Sequence, residues 1–267
     1  MAGKGESPTI RVAGWVSVSL VDVLGSPSFT IWFNYCNFRC PWCQNAHVVY
    51  ATESREVSIP QLLNEIRRAS ILVDYVQATG GEPTLQPHGL KALFRRCRNE
   101  VGVKTSLSTN GSNCQVVKEL LREGLLDHVA LDVKAPLHDP RKYSAVIGLD
   151  ERRGMDVLQG VRCSIRALME ANCPTEFRTT FVPNLLKKRD IIRIAQEIRE
   201  ESEKTGFCGF AYVIQQFLPS ETLINPKFSE KERVPAGKIV EIAREVRREV
   251  GLENVYVRAQ EIGTVRI

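Results

Sequence analysis

No apolar run in these 267 residues approaches the roughly 20 needed to span a bilayer. The polar start at residues 1–8 lacks the apolar middle of a signal peptide, so the expectation is a soluble, cytoplasmic chain without a membrane partner. Neither sign of charge dominates: 36 Lys and Arg against 31 Asp and Glu leave +5, too mild to argue for nucleic acid. Arg244, Arg247 and Arg248 have no aromatic stacking platform beside them and read as the solvated face of an amphipathic helix. Cysteine is also sparse. Eight in the chain is far below the density of a disulfide-stapled secreted domain, and cytosolic thiols are expected to stay reduced. Composition at 43% apolar and 25% charged excludes wholesale disorder, and the length suits one large domain or one domain with an appendage.

Strand-like and helix-like segments alternate without a Pro/Gly/Ser-rich linker between them. Strands are expected at 28–34, 71–78, 101–107, 126–133, 176–182 and 210–217, with a last strand-like run at 254–259. Helices are expected from Ser58, whose spacing to Gln61 suits a capping box, and at 89–98 and 155–171. A similar spacing at Ser112 and Gln115 opens another helix, with Gly124 at its C′ position. Two more carry Ile191, Ile192, Ala195 and Ile198, and Ile239, Ile242, Ala243, Val246 and Val250. About six β-α units result, which predicts an α/β fold: a partial (β/α)6 TIM-like barrel, a parallel sheet with outer helices. Residues 1–18 read as a tail and lead-in, 19–228 as the partial barrel, and 229–267 as an appended helix and strand. Sites in such sheets lie at the C-terminal strand ends, where the polar and Gly-rich strings fall.

Five cysteines (Cys97, Cys114, Cys163, Cys173 and Cys208) stand singly and read as small buried thiols. The other three form Cys36-Asn-Phe-Arg-Cys40-Pro-Trp-Cys43, spaced C-x3-C-x2-C. Three thiolates on one loop can converge on one metal centre while leaving a position unfilled by protein. Soft sulfur donors point to an iron–sulfur cluster or zinc. His47, four residues past Cys43, leaves a Cys3His zinc module as an alternative.

This motif after a first strand resembles that of radical S-adenosylmethionine enzymes, with Trp42 as the usual aromatic before the last cysteine. The resemblance implies one [4Fe-4S] cluster on Cys36, Cys40 and Cys43, whose fourth iron is chelated by S-adenosylmethionine. It implies reductive cleavage of that cofactor to a 5′-deoxyadenosyl radical. Thr79-Gly80-Gly81-Glu82-Pro83 matches the family's GGE motif for the methionine amino group, placing Gly80, Gly81 and Glu82 at the cofactor. A narrower resemblance covers nearly the whole chain. Ser19-Leu-Val-Asp22, Cys43-Gln44-Asn45, Thr109-Asn110-Gly111, Leu131-Asp132-Val133-Lys134 and Phe177-Arg178-Thr179-Thr180 recur in this order in activating enzymes of glycyl-radical enzymes. Lys134-Ala135-Pro136 together with Glu176 to Thr180 is most similar to the activating proteins of anaerobic ribonucleoside-triphosphate reductase and of pyruvate formate-lyase.

By that match Lys134 and Arg178 contact the cofactor, Asp132 positions it, and Asn110 joins the same ring. The partners implied are a glycyl-radical enzyme as protein substrate and a one-electron donor such as flavodoxin or ferredoxin. A small molecule, nucleobase or peptide is the alternative substrate. The chain departs from the pattern at three places. Tyr35 stands where Gly usually precedes the first cysteine, the usual DGPG-like turn is Asp22-Val-Leu-Gly25, and Ser108 replaces the acidic residue of a monovalent-cation site. No second cysteine array is present, so one cluster is expected.

Overall fold

Apolar residues three and four apart give each long helix one buried face. In the computed structural model, which describes residues 8–230 and 232–267, these faces cover a single ten-stranded sheet. The polar start at 1–7 lies outside the described residues. After the one-turn helix α1 (Ala46–Val49), helix α2 (Ile59–Ala69) buries Leu62, Leu63 and Ile66, and Ser58 caps it by accepting the Gln61 amide at 3.4 Å. Helices α3 (Pro87–Arg96), α4 (Cys114–Arg122), α6 (Glu151–Glu170), α7 (Lys188–Thr205) and α8 (Ala236–Val250) follow the same rule. In α8 the buried set includes the expected Ile239, Ile242, Ala243, Val246 and Val250. Each such side chain removed from water contributes roughly 1.5–3 kcal/mol.

Seven strands run parallel: β2 (Ser26–Phe33), β4 (Tyr75–Gly80), β5 (Lys104–Thr109), β6 (His128–Asp132), β7 (Thr175–Phe181), β8 (Phe210–Gln216) and β9 (Val255–Ala259). They are neighbours in chain order, joined by helical crossovers, as a singly wound barrel requires. Antiparallel strands flank them. Long β1 (Thr9–Val23) pairs with β2 and with short β3 (Arg55–Ser58), while β10 (Gly263–Arg266) pairs with β9. With β3 at one edge and β10 at the other, the barrel does not close. Among the described residues no helix is long and apolar enough to cross a membrane.

Several local expectations need correction. The strand expected at 71–78 begins only at Tyr75, because Ile71 and Leu72 are exposed after the end of α2. Helix α4 starts at Cys114 without a side-chain cap, since the Ser112 hydroxyl is already bonded to the Asn110 side chain at 2.6 Å. Helix α5 (Pro140–Ile147), capped by Asp139, fills part of what reads as a long connection. The single thiols also divide. Cys97 and Cys173 are buried and Cys208 is exposed, but Cys114 and Cys163 are joined in a disulfide because α4 and α6 pack side by side.

A buried carboxylate ties the incomplete barrel together. Glu176 on β7 accepts the Leu24 amide at 2.7 Å, which brings the β1–β2 turn across the interior. The same carboxylate meets Arg178 at 2.7 Å, His128 on β6 at 3.2 Å and Arg258 on β9 at 3.6 Å. Burial pushes Glu176 up, but Arg178, His128 and Arg258 outweigh it and bring it down to about 2. A pKa below the unfolded value means stabilisation that is present above about pH 4.5 and lost as acid protonates the folded group. Glu176→Gln is therefore expected to cost about 3 kcal/mol at neutral pH. Chemical denaturation across pH should show the gap to wild type closing as pH falls from about 4.5 towards 2. A gap independent of pH would contradict this role.

Candidate active site

The cysteine loop leaves the end of β2 by a conformation that most residues avoid. Tyr35 has φ of 70°, the left-handed region that glycine enters freely, which explains why a glycine there would be the easier choice. The strain is held by hydrogen bonds: the Tyr35 amide donates to the Val48 carbonyl at 3.0 Å, and its carbonyl accepts from the Glu82 amide at 2.7 Å. On one flank, Gly81 packs so closely that a Cβ there would lie 2.0 Å from the Tyr35 carbonyl oxygen. On the other, the Arg39 amide donates to Ile147 at 2.9 Å, and a Cβ on Gly148 would lie 2.0 Å from the Arg39 carbonyl oxygen. The Trp42 indole donates to the Val146 carbonyl at 3.1 Å, so the last turn of α5 holds the loop twice.

Cys36, Cys40 and Cys43 all line one cavity of about 400 Å³ at the C-terminal ends of the parallel strands. Gly80 and Gly81 at the end of β4, Asn110 after β5, and Asp132 and Lys134 at the end of β6 line it too, as does Trp42. Lys134 pairs with Asp132 at 2.7 Å and lies 5.0 Å from the centre of the Trp42 ring, a cation–π contact. Burial lowers the Lys134 ammonium, yet Asp132 and the cysteines beside it leave it above the usual lysine value. Asn110 donates to the Asn37 side chain at 2.9 Å and approaches the Cys36 sulfur at 3.8 Å. Burial, then the Glu82 carboxylate, pushes the Cys36 thiol up to about 12, and burial raises Cys40 and Cys43 as well.

Two expected site residues do not line this cavity. Glu82 is fully buried, with its carboxylate taken by the Thr84 amide and hydroxyl, the Thr109 hydroxyl and the Asn110 amide, at 2.6–3.0 Å. Burial raises its pKa against those bonds. It locks the end of β4 to the end of β5. Arg178 points away from the cavity to Glu176 and to the Asp22 carbonyl, 2.5 Å away. His47 is likewise absent from the lining. Sequence reading leaves Gln215 and Gln216, on the last site-facing strand, without a role and passes over Phe217 and Leu218; the first two end β8, the others follow it, and all four line the cavity. Their signal was position alone, at the end of the last strand before the helix of the sixth unit.

A family model described as the radical SAM superfamily matches residues 30–193, which hold every strand end described here except that of β8. The chain belongs to the radical SAM superfamily. A Methanocaldococcus jannaschii protein, provisionally named a glycyl-radical enzyme activating enzyme, is 28% identical over 92% of this chain and 95% of its own. The pyruvate formate-lyase-activating enzyme of Clostridium pasteurianum is 27% identical over 68% of this chain and 73% of its own. Among solved structures, QueE from Escherichia coli shares the fold with a TM-score of 0.55 and 14% identity, covering 94% of this chain and 95% of that one.

The family implies a [4Fe-4S] cluster and S-adenosylmethionine; thiols are the donors such a cluster takes, although among the described residues no three His, Cys, Asp or Glu side chains are already arranged to hold one metal ion. Three soft sulfur donors share one cavity, and among the described residues no fourth sulfur or imidazole lines it. Gly80 and Gly81 line the same cavity, and the space a Cβ would take at each is filled by main chain of β2 and Tyr35. In this radical SAM chain the support from α5 is itself testable. Gly148→Val should leave the helices intact by circular dichroism but bind less than about half the wild-type iron, since the Arg39 backbone must move. Wild-type iron content in that variant would show that the α5 contact does not position the cysteines.

Proposed function

We propose that the protein installs a glycyl radical on a partner enzyme, with Cys36, Cys40 and Cys43 holding one [4Fe-4S] cluster and the strand-end residues holding S-adenosylmethionine. Bound there, the two cofactors would supply one-electron cleavage of the sulfonium and radical hydrogen abstraction. Lys134, held by Asp132, offers a cation to the cofactor's carboxylate, and Asn110 and the Gly80-Gly81 backbone offer hydrogen-bonding groups. Trp42 and Phe38 form apolar wall that limits water. Glu82 and Arg178 act as positioning residues beneath this surface.

One observation favours a protein substrate. A second cavity of about 910 Å³ opens where the β1–β2 hairpin and the β9–β10 hairpin fail to meet. Leu20, Val21, Leu24 and Tyr256 line it, and it shares Gln215, Gln216 and Leu218 with the cofactor cavity. Leu20 and Val21 are 76% and 63% exposed, an apolar lip suited to an extended polypeptide segment. Similarity to the two activating enzymes supports the same reading. The electron donor on this reading is a low-potential flavodoxin or ferredoxin.

Anaerobic protein with reductant, S-adenosylmethionine and a glycyl-radical enzyme from the same genome should give the doublet EPR signal of a glycyl radical. Its absence with every such enzyme would overturn the proposal. Leu20→Glu should lower the yield of that signal at least about tenfold at limiting partner, while cofactor cleavage without partner stays unchanged. Equal loss of both activities would place Leu20 in general stability instead.

A further inference from the structure

The Cys114–Cys163 disulfide joins α4 to α6 and supplies no group to the cavity of the cysteine loop. Its Cα atoms are 5.8 Å apart, within the ordinary range for a bridge, although 49 residues separate the two in sequence. The two sulfurs differ in access. Cys114 is buried at the start of α4, whereas Cys163 is half-buried on α6 and lines a surface cavity of about 520 Å³ between α6 and α7. That cavity has no lining residue in common with the cofactor cavity.

The bridge also sits at the foot of a chain of contacts that ends on the cysteine loop. Gly160, one turn before Cys163, packs on Ser112, where an added Cβ would come within 2.0 Å of the carbonyl oxygen. Ser164 donates to the Gly111 carbonyl at 2.7 Å. The Ser112 hydroxyl donates to Asn110 at 2.6 Å and accepts from Asn37 at 2.8 Å. Asn110 in turn reaches Asn37 and Cys36. A covalent link between α4 and α6 therefore braces the 110–112 turn that faces the site.

We propose that Cys114 and Cys163 form a reversible thiol–disulfide exchange site, entered at Cys163 from the outer cavity by a dithiol protein of the thioredoxin class, whose state sets how firmly the 110–112 turn is held. The incoming thiolate attacks the Cys163 sulfur, the S–S bond breaks, and the electron pair leaves on the Cys114 sulfur. Position at the first residue of α4 favours that leaving thiolate through the helix N-terminus. The second thiol of the dithiol then attacks the mixed disulfide and frees Cys163. Two electrons and two protons pass to this chain, and the dithiol becomes a disulfide. The oxidised form of the same partner class drives the reverse.

The test uses anaerobically prepared, cluster-loaded protein equilibrated in buffers of defined reduced-to-oxidised dithiothreitol ratio. Peptide mapping should find the 114–163 crosslink at the oxidising end and two free thiols at the reducing end. Melting temperature should fall by about 5 °C or more on reduction, and amide exchange at 110–112 should quicken. The double variant Cys114→Ala/Cys163→Ala should show neither dependence, which separates this pair from the cluster cysteines. In single variants, glutathione disulfide should modify Cys163 in Cys114→Ala at least about tenfold faster than Cys114 in Cys163→Ala. No crosslink at any ratio, redox dependence that persists in the double variant, unchanged exchange at 110–112, or faster modification of Cys114 would each overturn the proposal. These readouts need no glycyl-radical partner, so failure of the functional assignment leaves them intact.

Discussion

Main chain pressed against main chain on both sides of the cysteine loop is the constraint on which this site rests. Gly81 meets Tyr35 on one flank and Gly148 meets Arg39 on the other, each at a distance that leaves no room for a side chain. The loop has little regular secondary structure of its own, so three thiols could not otherwise be kept around one cavity. Hydrogen bonds from Glu82 and Arg39 amides then fix its direction, and the left-handed Tyr35 is tolerated because those contacts over-determine it. The organisation is common for parallel sheets, where strand ends supply rigid anchors and loops supply chemistry.

The second requirement is an incomplete barrel that stays folded. A closed barrel buries all its strand edges, whereas this one leaves a gap between two hairpins. Glu176 bridges part of that gap from within by joining the β1–β2 turn to β6, β7 and β9 through charged and amide partners. A buried carboxylate is costly alone, but here each oxygen faces a donor. Arg178 is engaged on its two sides by Glu176 and Asp22 and does not line the cavity of the cysteine loop. Support below and an opening at the side thus arise from the same arrangement of strands.

Much of this was legible in the residues themselves. The spacing of Cys36, Cys40 and Cys43 marked three thiols that line one cavity, and the β-α rhythm announced that the cavity would sit at the strand ends. Gly80, Gly81, Asn110, Asp132 and Lys134 could be placed at strand ends because each follows an apolar strand. Other features were written in local signals that motif matching passed over. The alternation in Val16-Ser-Val18-Ser-Leu20 marks β1, and Asp139-Pro140 with Gly148 brackets α5 by cap, first-turn proline and C′ glycine. What one sequence cannot carry is proximity between distant segments. Nothing local joins Cys114 to Cys163, turns Arg178 towards Glu176, or shows that Glu82 spends its hydrogen-bonding capacity on Thr84, Thr109 and Asn110.

The central claim is that three sulfurs hold a four-iron cluster with one corner open to a chelating sulfonium cofactor. Mössbauer spectroscopy of iron-57-labelled protein prepared without air addresses it most directly. The account predicts a four-iron, four-sulfur spectrum in which one iron of the four changes its parameters when S-adenosylmethionine is added. A spectrum without a four-iron centre, or one in which no single iron responds to the cofactor, would contradict it.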